Sequence, residues 1–94
     1  MNKIVVTRHP ALVDYLIEEG VISKDTPVIS HASAEDVQGK DVIGVLPLSL
    51  ASLANTVTEV WLNIPAEKRG KELSLEEVKA YAKGVETYKV SVVN

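Results

Sequence analysis

The chain of 94 residues contains no cysteine. Disulfide bonds and thiolate-bound metal ions are therefore excluded, and nothing in the cysteine count indicates an oxidising compartment. The chain also lacks an apolar run that approaches the roughly 20 residues needed to span a bilayer. Its beginning lacks the charged start, apolar stretch and cleavage site of a signal peptide. From these absences we expect a cytoplasmic protein without a membrane partner.

Several motifs of nucleotide-dependent and hydrolytic enzymes are missing as well. The sequence has no Walker loop and no G-x-G-x-x-G, G-x-S-x-G or H-E-x-x-H pattern. A formal net charge of -3 argues against non-specific binding of duplex nucleic acid. A local cluster of positive charge can still hold a small anion. The two histidines have no nearby pair of carboxylates, so we predict neither a zinc site nor a cofactor.

What the sequence does contain predicts one α/β domain over residues 1–94. The composition is 46% hydrophobic, which is enough for one core. Because helices separate several of the predicted strands, we expect a mostly parallel five-stranded sheet with flanking helices. The predicted strands cover residues 3–7, 28–31, 42–46, 59–64 and 88–93. The predicted helices run from Pro10 to a cap at Gly20, over one turn at 33–37, over 48–55, and from the cap Ser74 through Val85.

The first strand ends in Thr7-Arg8-His9, and Pro10 then opens a helix. Ligands of open α/β sheets bind beyond the carboxyl ends of the strands, where a helix N-terminus also favours an anion. In that position Arg8 can grip a phosphate with two parallel hydrogen bonds, and His9 can donate to it or exchange a proton. The alternative is a surface arginine and a histidine that only caps the helix.

Further polar residues follow the ends of the next strands. Ser30-His31 repeats the placement after the second strand, although a lone histidine there is often only a hydrogen-bonded loop residue. Gly44 precedes Pro47 at the end of the third strand, and such a glycine indicates close approach of a ligand or of another backbone, or packing under a helix. The basic run Lys68-Arg69-Gly70-Lys71 follows the fourth strand and is either a solvated loop or a cover for the anion. Trp61 lies in an apolar strand and is predicted to be core or interface.

Four segments in this order resemble a family of CRISPR-associated proteins. They are Val6-Thr7-Arg8-His9-Pro10, the stretch from His31 to Val37, Asp41-Val42-Ile43-Gly44-Val45-Leu46-Pro47, and the stretch from Pro65 to Leu73. Together they resemble the Csx-sixteen-type family found beside type III CRISPR loci. The resemblance implies a Rossmann-like domain that forms a homodimer and binds cyclic tetra-adenylate. It also implies cleavage of that ring without a metal ion, which switches off type III CRISPR signalling.

The implied mechanism is attack of a ribose 2′-hydroxyl on the adjacent phosphate. The resemblance assigns catalysis to Arg8, which stabilises charge, and to His9, with His31 as the other candidate for proton transfer. The ligand-binding residues are expected to be Thr7, Arg8, His9, Ser30, His31, Pro47, Lys68 and Arg69. Two alternatives are a non-catalytic protein that sequesters the ring and a structural or regulatory partner protein without a nucleotide ligand.

Overall fold

The apolar segments of the sequence form a five-stranded sheet in a computed structural model, which describes residues 2–94. The strands are β1 (Lys3–Val6), β2 (Val28–Ile29), β3 (Asp41–Gly44), β4 (Thr56–Leu62) and β5 (Ala82–Tyr88). Their order across the sheet is β2-β1-β3-β4-β5. The pairs among β1 to β4 are parallel, and β5 runs antiparallel to β4. The predicted α/β class and mostly parallel five-stranded sheet are thus confirmed.

Helices cover both faces of this sheet. They are α1 (Pro10–Glu18), α2 (Ala34–Val37), α3 (Leu48–Ala51) and α4 (Leu75–Tyr81), with a short 3-10 helix at Ala66–Lys68. Successive strand residues point to opposite faces. Val5 therefore packs against Leu16 of α1, and Ile4 packs against Val37 of α2 on the other side. The two apolar layers bury β1 and β3 from both sides, as their continuous apolar runs in the sequence predict, whereas β2 and β5 are largely exposed.

Local sequence signals set several helix ends as predicted. Gly20 adopts a positive φ of 76° just after α1, a conformation that glycine reaches at little cost. Ser74 caps α4, since its Oγ accepts from the Glu77 N–H at 3.2 Å while Glu77 Oε1 accepts from the Ser74 N–H at 3.0 Å. Leu73 packs into the cluster around Val78, which completes the predicted hydrophobic staple.

The prediction for the third helix and fourth strand was wrong in its boundaries. The helix ends at Ala51 instead of Asn55, and β4 begins at Thr56 instead of Glu59. The physical reason is the carboxylate of Asp41, which accepts from Asn55 Nδ2 at 2.7 Å and from Thr56 Oγ1 at 2.8 Å. These hydrogen bonds hold Asn55 and Thr56 beside the start of β3. The chain therefore joins the sheet as β4 from Thr56 onward.

The end of the chain also departs from the prediction. The last helix ends at Tyr81, whereas helical periodicity predicted that it continued through Val85. The final strand covers Ala82–Tyr88 instead of residues 88–93. Pairing of β5 with β4, including Val85 opposite Val60, overrides the helical pattern in this segment. The strand follows α4 directly, which places it antiparallel at the edge of the sheet.

No helix among residues 2–94 is both long enough and apolar enough to span a membrane.

Candidate functional site

The carboxyl ends of β1, β2, β3 and β4 meet at one edge of the sheet, because these four strands are parallel. The strand order also reverses here. The chain passes from β1 outward to β2 and then returns to β3 on the opposite side of β1. In open α/β sheets this reversal leaves a crevice beyond the strand ends, and ligands bind in it. The predicted site lies at this crevice.

A cleft of about 330 Å³ opens at the crevice. Its polar lining comes from the segments that follow β1 and β2, and its apolar lining comes from α1, β3 and β4. The polar lining residues are Thr7, Arg8, His9 and Ser30, and the others are Val6, Leu12, Ile43, Gly44, Val45, Val60 and Leu62. A larger depression of about 470 Å³ lies at the opposite edge around Lys3 and Ser23, away from the predicted site residues.

Arg8 and His31 are in direct contact beside the cleft. Arg8 Nη2 lies 2.9 Å from His31 Nε2 and 3.3 Å from His31 Nδ1. A guanidinium group has donors only, so the histidine nitrogen that accepts its hydrogen bond must be unprotonated. The contact joins the ends of β1 and β2, whose register pairs Val6 with Ile29. His31 is therefore a partner of Arg8, and both side chains are exposed to solvent.

His9 forms part of the cleft wall and does not cap the helix with its side chain. It occupies the N-cap position of α1 with an extended backbone, and its side chain makes no capping hydrogen bond. Its own N–H donates to Thr7 Oγ1 at 3.1 Å, which fixes the turn after β1. The imidazole of His9 is thus exposed at the cleft, available to a ligand.

The start of α1 offers fewer free amides than the sequence suggests. Pro10 has no N–H, and the N–H of Leu12 donates to the carbonyl of His9 at 3.1 Å. No acidic residue lies in the first turn of this helix. The attraction for an anion at this edge therefore comes chiefly from the side chains of Arg8 and His9.

Gly44 lets two strands approach closely at the base of the cleft. Its φ is +143°, and a Cβ at this position would overlap the carbonyl oxygen of Val6 on the neighbouring strand. Of the alternatives open from the sequence, close approach of another backbone is the one observed. The chain leaves β3 at this residue, two positions earlier than predicted.

Four predicted site residues do not line the cleft: His31, which contacts Arg8 beside it, and Pro47, Lys68 and Arg69. Pro47 is the N-cap residue of α3, and Lys68 and Arg69 follow the carboxyl end of β4. Lys68 Nζ lies 3.0 Å from Glu77 Oε2, and this pairing raises the pKa of the lysine. Lys68 thus helps to fix the start of α4. Arg69 is exposed next to it.

Aliphatic cleft residues were not predicted from the sequence. Leu12, Val60 and Leu62 are partly buried and pack around the junction of α1 and α4 while also lining the cleft. Their residue types indicate core, and no polar or charged signal marks them as site residues. Only the alternation of Val60 and Leu62 on one face of β4, continuing to the strand end, points toward the cleft.

A second feature beside the cleft is an exposed apolar surface formed by Val45, Leu48, Trp61 and Tyr88. Their exposed fractions are 74%, 76%, 54% and 41%. Of the two predicted places for Trp61, core or interface, its exposure excludes the core. Trp61 Nε1 donates to the hydroxyl of Tyr88 at 3.3 Å. Val45 also lines the cleft, so the two features adjoin.

Within residues 2–94, no three or more histidine, aspartate or glutamate side chains are grouped so that they could hold a metal ion.

Comparison with known proteins assigns the chain to a family. A family model described as "Putative CRISPR-associated protein (Cas_VVA1548)" matches residues 4–91, nearly the whole chain. Neither a curated protein nor a solved structure gave a match. The matched region contains all the polar residues of the cleft together with Pro47, Lys68 and Arg69. The chain therefore belongs to this family of CRISPR-associated proteins.

Proposed function

We propose that the protein is a ring nuclease that binds cyclic tetra-adenylate and cleaves it without a metal ion, and so switches off type III CRISPR signalling. Membership of a CRISPR-associated family supports a role in this defence system. The resemblance to the Csx-sixteen type supports the choice of ligand. We further propose that the fold is Rossmann-like, because its strand order, β2-β1-β3-β4-β5, reverses at the cleft.

The observation that carries the proposal is the position of Arg8 at the cleft. Its guanidinium lies beyond the carboxyl end of β1 and contacts His31, and it takes no part in the ion pairs of residues 2–94. A guanidinium in this state favours a phosphodiester with which it can form two parallel hydrogen bonds. Thr7 and Ser30 add hydroxyl groups on the same side of the cleft.

The reaction assigned to this site needs few protein groups. A ribose 2′-oxygen attacks the adjacent phosphorus in line, and the bond from phosphorus to the 5′-oxygen breaks. The products are a 2′,3′-cyclic phosphate and a free 5′-hydroxyl. The proton lost from the 2′-hydroxyl goes to a base, and the 5′-oxygen gains a proton. In this scheme Arg8 stabilises the charge that develops on the phosphate oxygens.

His9 is the better candidate for proton transfer. Its imidazole is exposed on the cleft wall and makes no capping bond. The ring of His31 instead faces Arg8 with both nitrogens within 3.3 Å, and one of them accepts from the guanidinium. We therefore assign proton transfer to His9 and leave His31 as the partner of Arg8. Lys68 and Arg69 remain candidates for contacts outside the cleft.

A homodimer is part of the proposal. The exposed apolar surface of Val45, Leu48, Trp61 and Tyr88 is of the kind that marks a protein interface. Because Val45 also lines the cleft, a second copy seated on this surface would lie beside the bound ligand. A four-membered ring contains a two-fold axis, so two identical clefts across an isologous interface can hold it symmetrically.

Incubation of the purified protein with radiolabelled cyclic tetra-adenylate in the presence of EDTA tests the proposal. We expect linear products ending in a 2′,3′-cyclic phosphate, with more than one turnover per protomer. Retention of the intact ring would instead favour sequestration, the competing function. Failure to retain the ring at all would reject both nucleotide functions. His9→Ala is expected to slow cleavage at least about a hundredfold while retaining the ring, because general acid–base groups contribute about 10²–10⁴-fold.

A further inference from the structure

We infer that the apolar half of the cleft is a nucleobase site. In this arrangement one nucleotide unit lies in each cleft, with its phosphate at Arg8 and its base on Leu12, Val60 and Leu62. The inference rests on the proposed function, since it names the part of the nucleotide that this wall recognises.

The cleft has two chemically distinct sides. The segments after β1 and β2 supply a guanidinium, an imidazole and two hydroxyl groups. A second part of the lining is aliphatic and is formed by Leu12, Val60 and Leu62, which belong to one apolar cluster. These three residues are only partly buried. By contrast, Leu16, which lies in α1 with Leu12, has no exposed surface. An anion alone would leave the aliphatic wall in water, so the cleft favours a ligand that joins an anion to an apolar group.

The dimensions of the wall favour a flat ring system. Val60 and Leu62 lie on the same face of β4, and residues two apart on a strand are separated by about 7 Å. A bicyclic base can cover that span, whereas a phosphate cannot. A cavity of about 330 Å³ is at the small end of the range for small-molecule sites, about 300–1,000 Å³, which suits a single nucleotide.

Backbone amide NMR titrations with small probes test this inference separately from catalysis. The probes are adenosine 5′-monophosphate, ribose 5-phosphate and octyl phosphate, each raised to millimolar concentration. We expect the nucleotide to shift the amide signals of Arg8 and Leu62 and to bind at least about tenfold more tightly than ribose 5-phosphate, equivalent to about 1.4 kcal/mol.

A matched pair of substitutions locates the base. Val60→Thr replaces one methyl group of the wall by a hydroxyl with little change in volume. Val85→Thr makes the same change at the residue opposite Val60 on β5, outside the cleft lining. We expect Val60→Thr to weaken nucleotide binding several-fold and to leave ribose 5-phosphate binding unchanged. Val85→Thr should alter neither. Leu62→Ala provides a second test if Val60→Thr does not fold.

Three results would overturn the nucleobase site. The first is equal affinity for the nucleotide and for ribose 5-phosphate. The second is octyl phosphate binding as tightly as the nucleotide. The third is that the amide signals of the cleft residues do not shift at any concentration of the nucleotide. Failure of the proposed function looks different. In that case the nucleotide still binds better than ribose 5-phosphate, but cyclic tetra-adenylate is not cleaved. Cleavage of the ring together with equal affinities would reject the base site alone.

Discussion

At the scale of single residues, the partner of Arg8 decides what the arginine can do. In the portion of the chain that the structure describes, the ion pairs join Lys68 to Glu77 and Lys79 to Glu18, and Arg8 takes part in neither. Its side chain hydrogen bonds to the imidazole of His31. A carboxylate partner would compete with an incoming phosphate, whereas His31 orients the guanidinium and leaves its charge available.

Substitutions at His31 test this positioning role. His31→Leu removes the acceptor, so we expect the affinity for cyclic tetra-adenylate to fall about 5–10-fold, equivalent to about 1–1.4 kcal/mol. His31→Gln offers a side-chain oxygen that can accept from Arg8, and it should restore part of the loss. Filter binding with the labelled ring measures both. If the two variants bind alike, His31 does not act through its hydrogen bond to Arg8.

The sequence predicts which polar residues belong to this site better than it predicts the contacts between them. Strand-end placement was enough to select Arg8, His9 and Ser30, which line the cleft. The contact of Arg8 with His31 also needs the register of β1 with β2, and no local pattern encodes that register. The apolar wall of Leu12, Val60 and Leu62 was not predicted, because the sequence pattern of an aliphatic residue is the same in a core and in a cleft.

At the scale of elements, Gly44 controls how closely β1 and β3 approach beneath the cleft. We predict that Gly44→Ala lowers the free energy of unfolding by at least about 1–3 kcal/mol, because alanine is strained at a φ of +143° and its Cβ overlaps the Val6 carbonyl. Urea denaturation measures the change. Gly84→Ala is the matched control, since no atom lies within 4 Å of its added Cβ. Equal stability of the two variants would contradict the close approach.

The first turn of α4 should make stability depend on pH. The N–H of Ser74 and the ammonium of Lys68 hold the pKa of Glu77 below its ordinary value of 4.5. A carboxyl group with a lower pKa in the folded state stabilises the fold above its unfolded pKa. That contribution is lost as the pH falls through the folded pKa. We therefore expect the melting temperature to fall between about pH 6 and pH 3.

Two substitutions separate Glu77 from the other acidic groups. Glu77→Gln should flatten this part of the pH profile, because the side chain can no longer carry the charge. Glu76→Gln, at the exposed residue one position earlier in the same helical turn, should keep the steeper profile. The carboxyl groups of Asp36 and Asp41, whose pKa values are also lowered by hydrogen bonds, act in the same direction and persist in both variants. Parallel profiles for the two variants would contradict the role of Glu77.

Element boundaries show where sequence patterns stop being informative. The cap at Ser74 and the glycine after α1 were predicted, because each acts through neighbours within a few residues. The end of α3 was not predicted, because it depends on Asp41, 15 positions from Thr56 in the sequence. The switch from α4 to β5 likewise depends on pairing with β4. Long-range contacts fixed the boundaries that local periodicity missed.

At the scale of the whole molecule, the exposed apolar surface predicts a dimer. We expect sedimentation equilibrium to give twice the chain mass of 10.2 kDa, and Trp61→Ser with Leu48→Ser to shift the protein toward the monomer. These side chains are largely exposed in the single chain, so the double variant should keep its fold. Val93→Ser, at a residue that is 99% exposed, is the control. A double variant that remains a dimer would show that the interface lies elsewhere.

Binding of labelled cyclic tetra-adenylate to the Arg8→Ala variant tests the central claim, that this cleft holds a phosphodiester through Arg8. Lys24→Ala is the matched control, because it removes one positive charge from an exposed turn away from the cleft. We predict that Arg8→Ala weakens binding at least about a hundredfold, equivalent to about 2.7 kcal/mol, with an unchanged melting temperature. The control should bind like the unmodified protein. Undiminished binding by a folded Arg8→Ala variant would contradict the account.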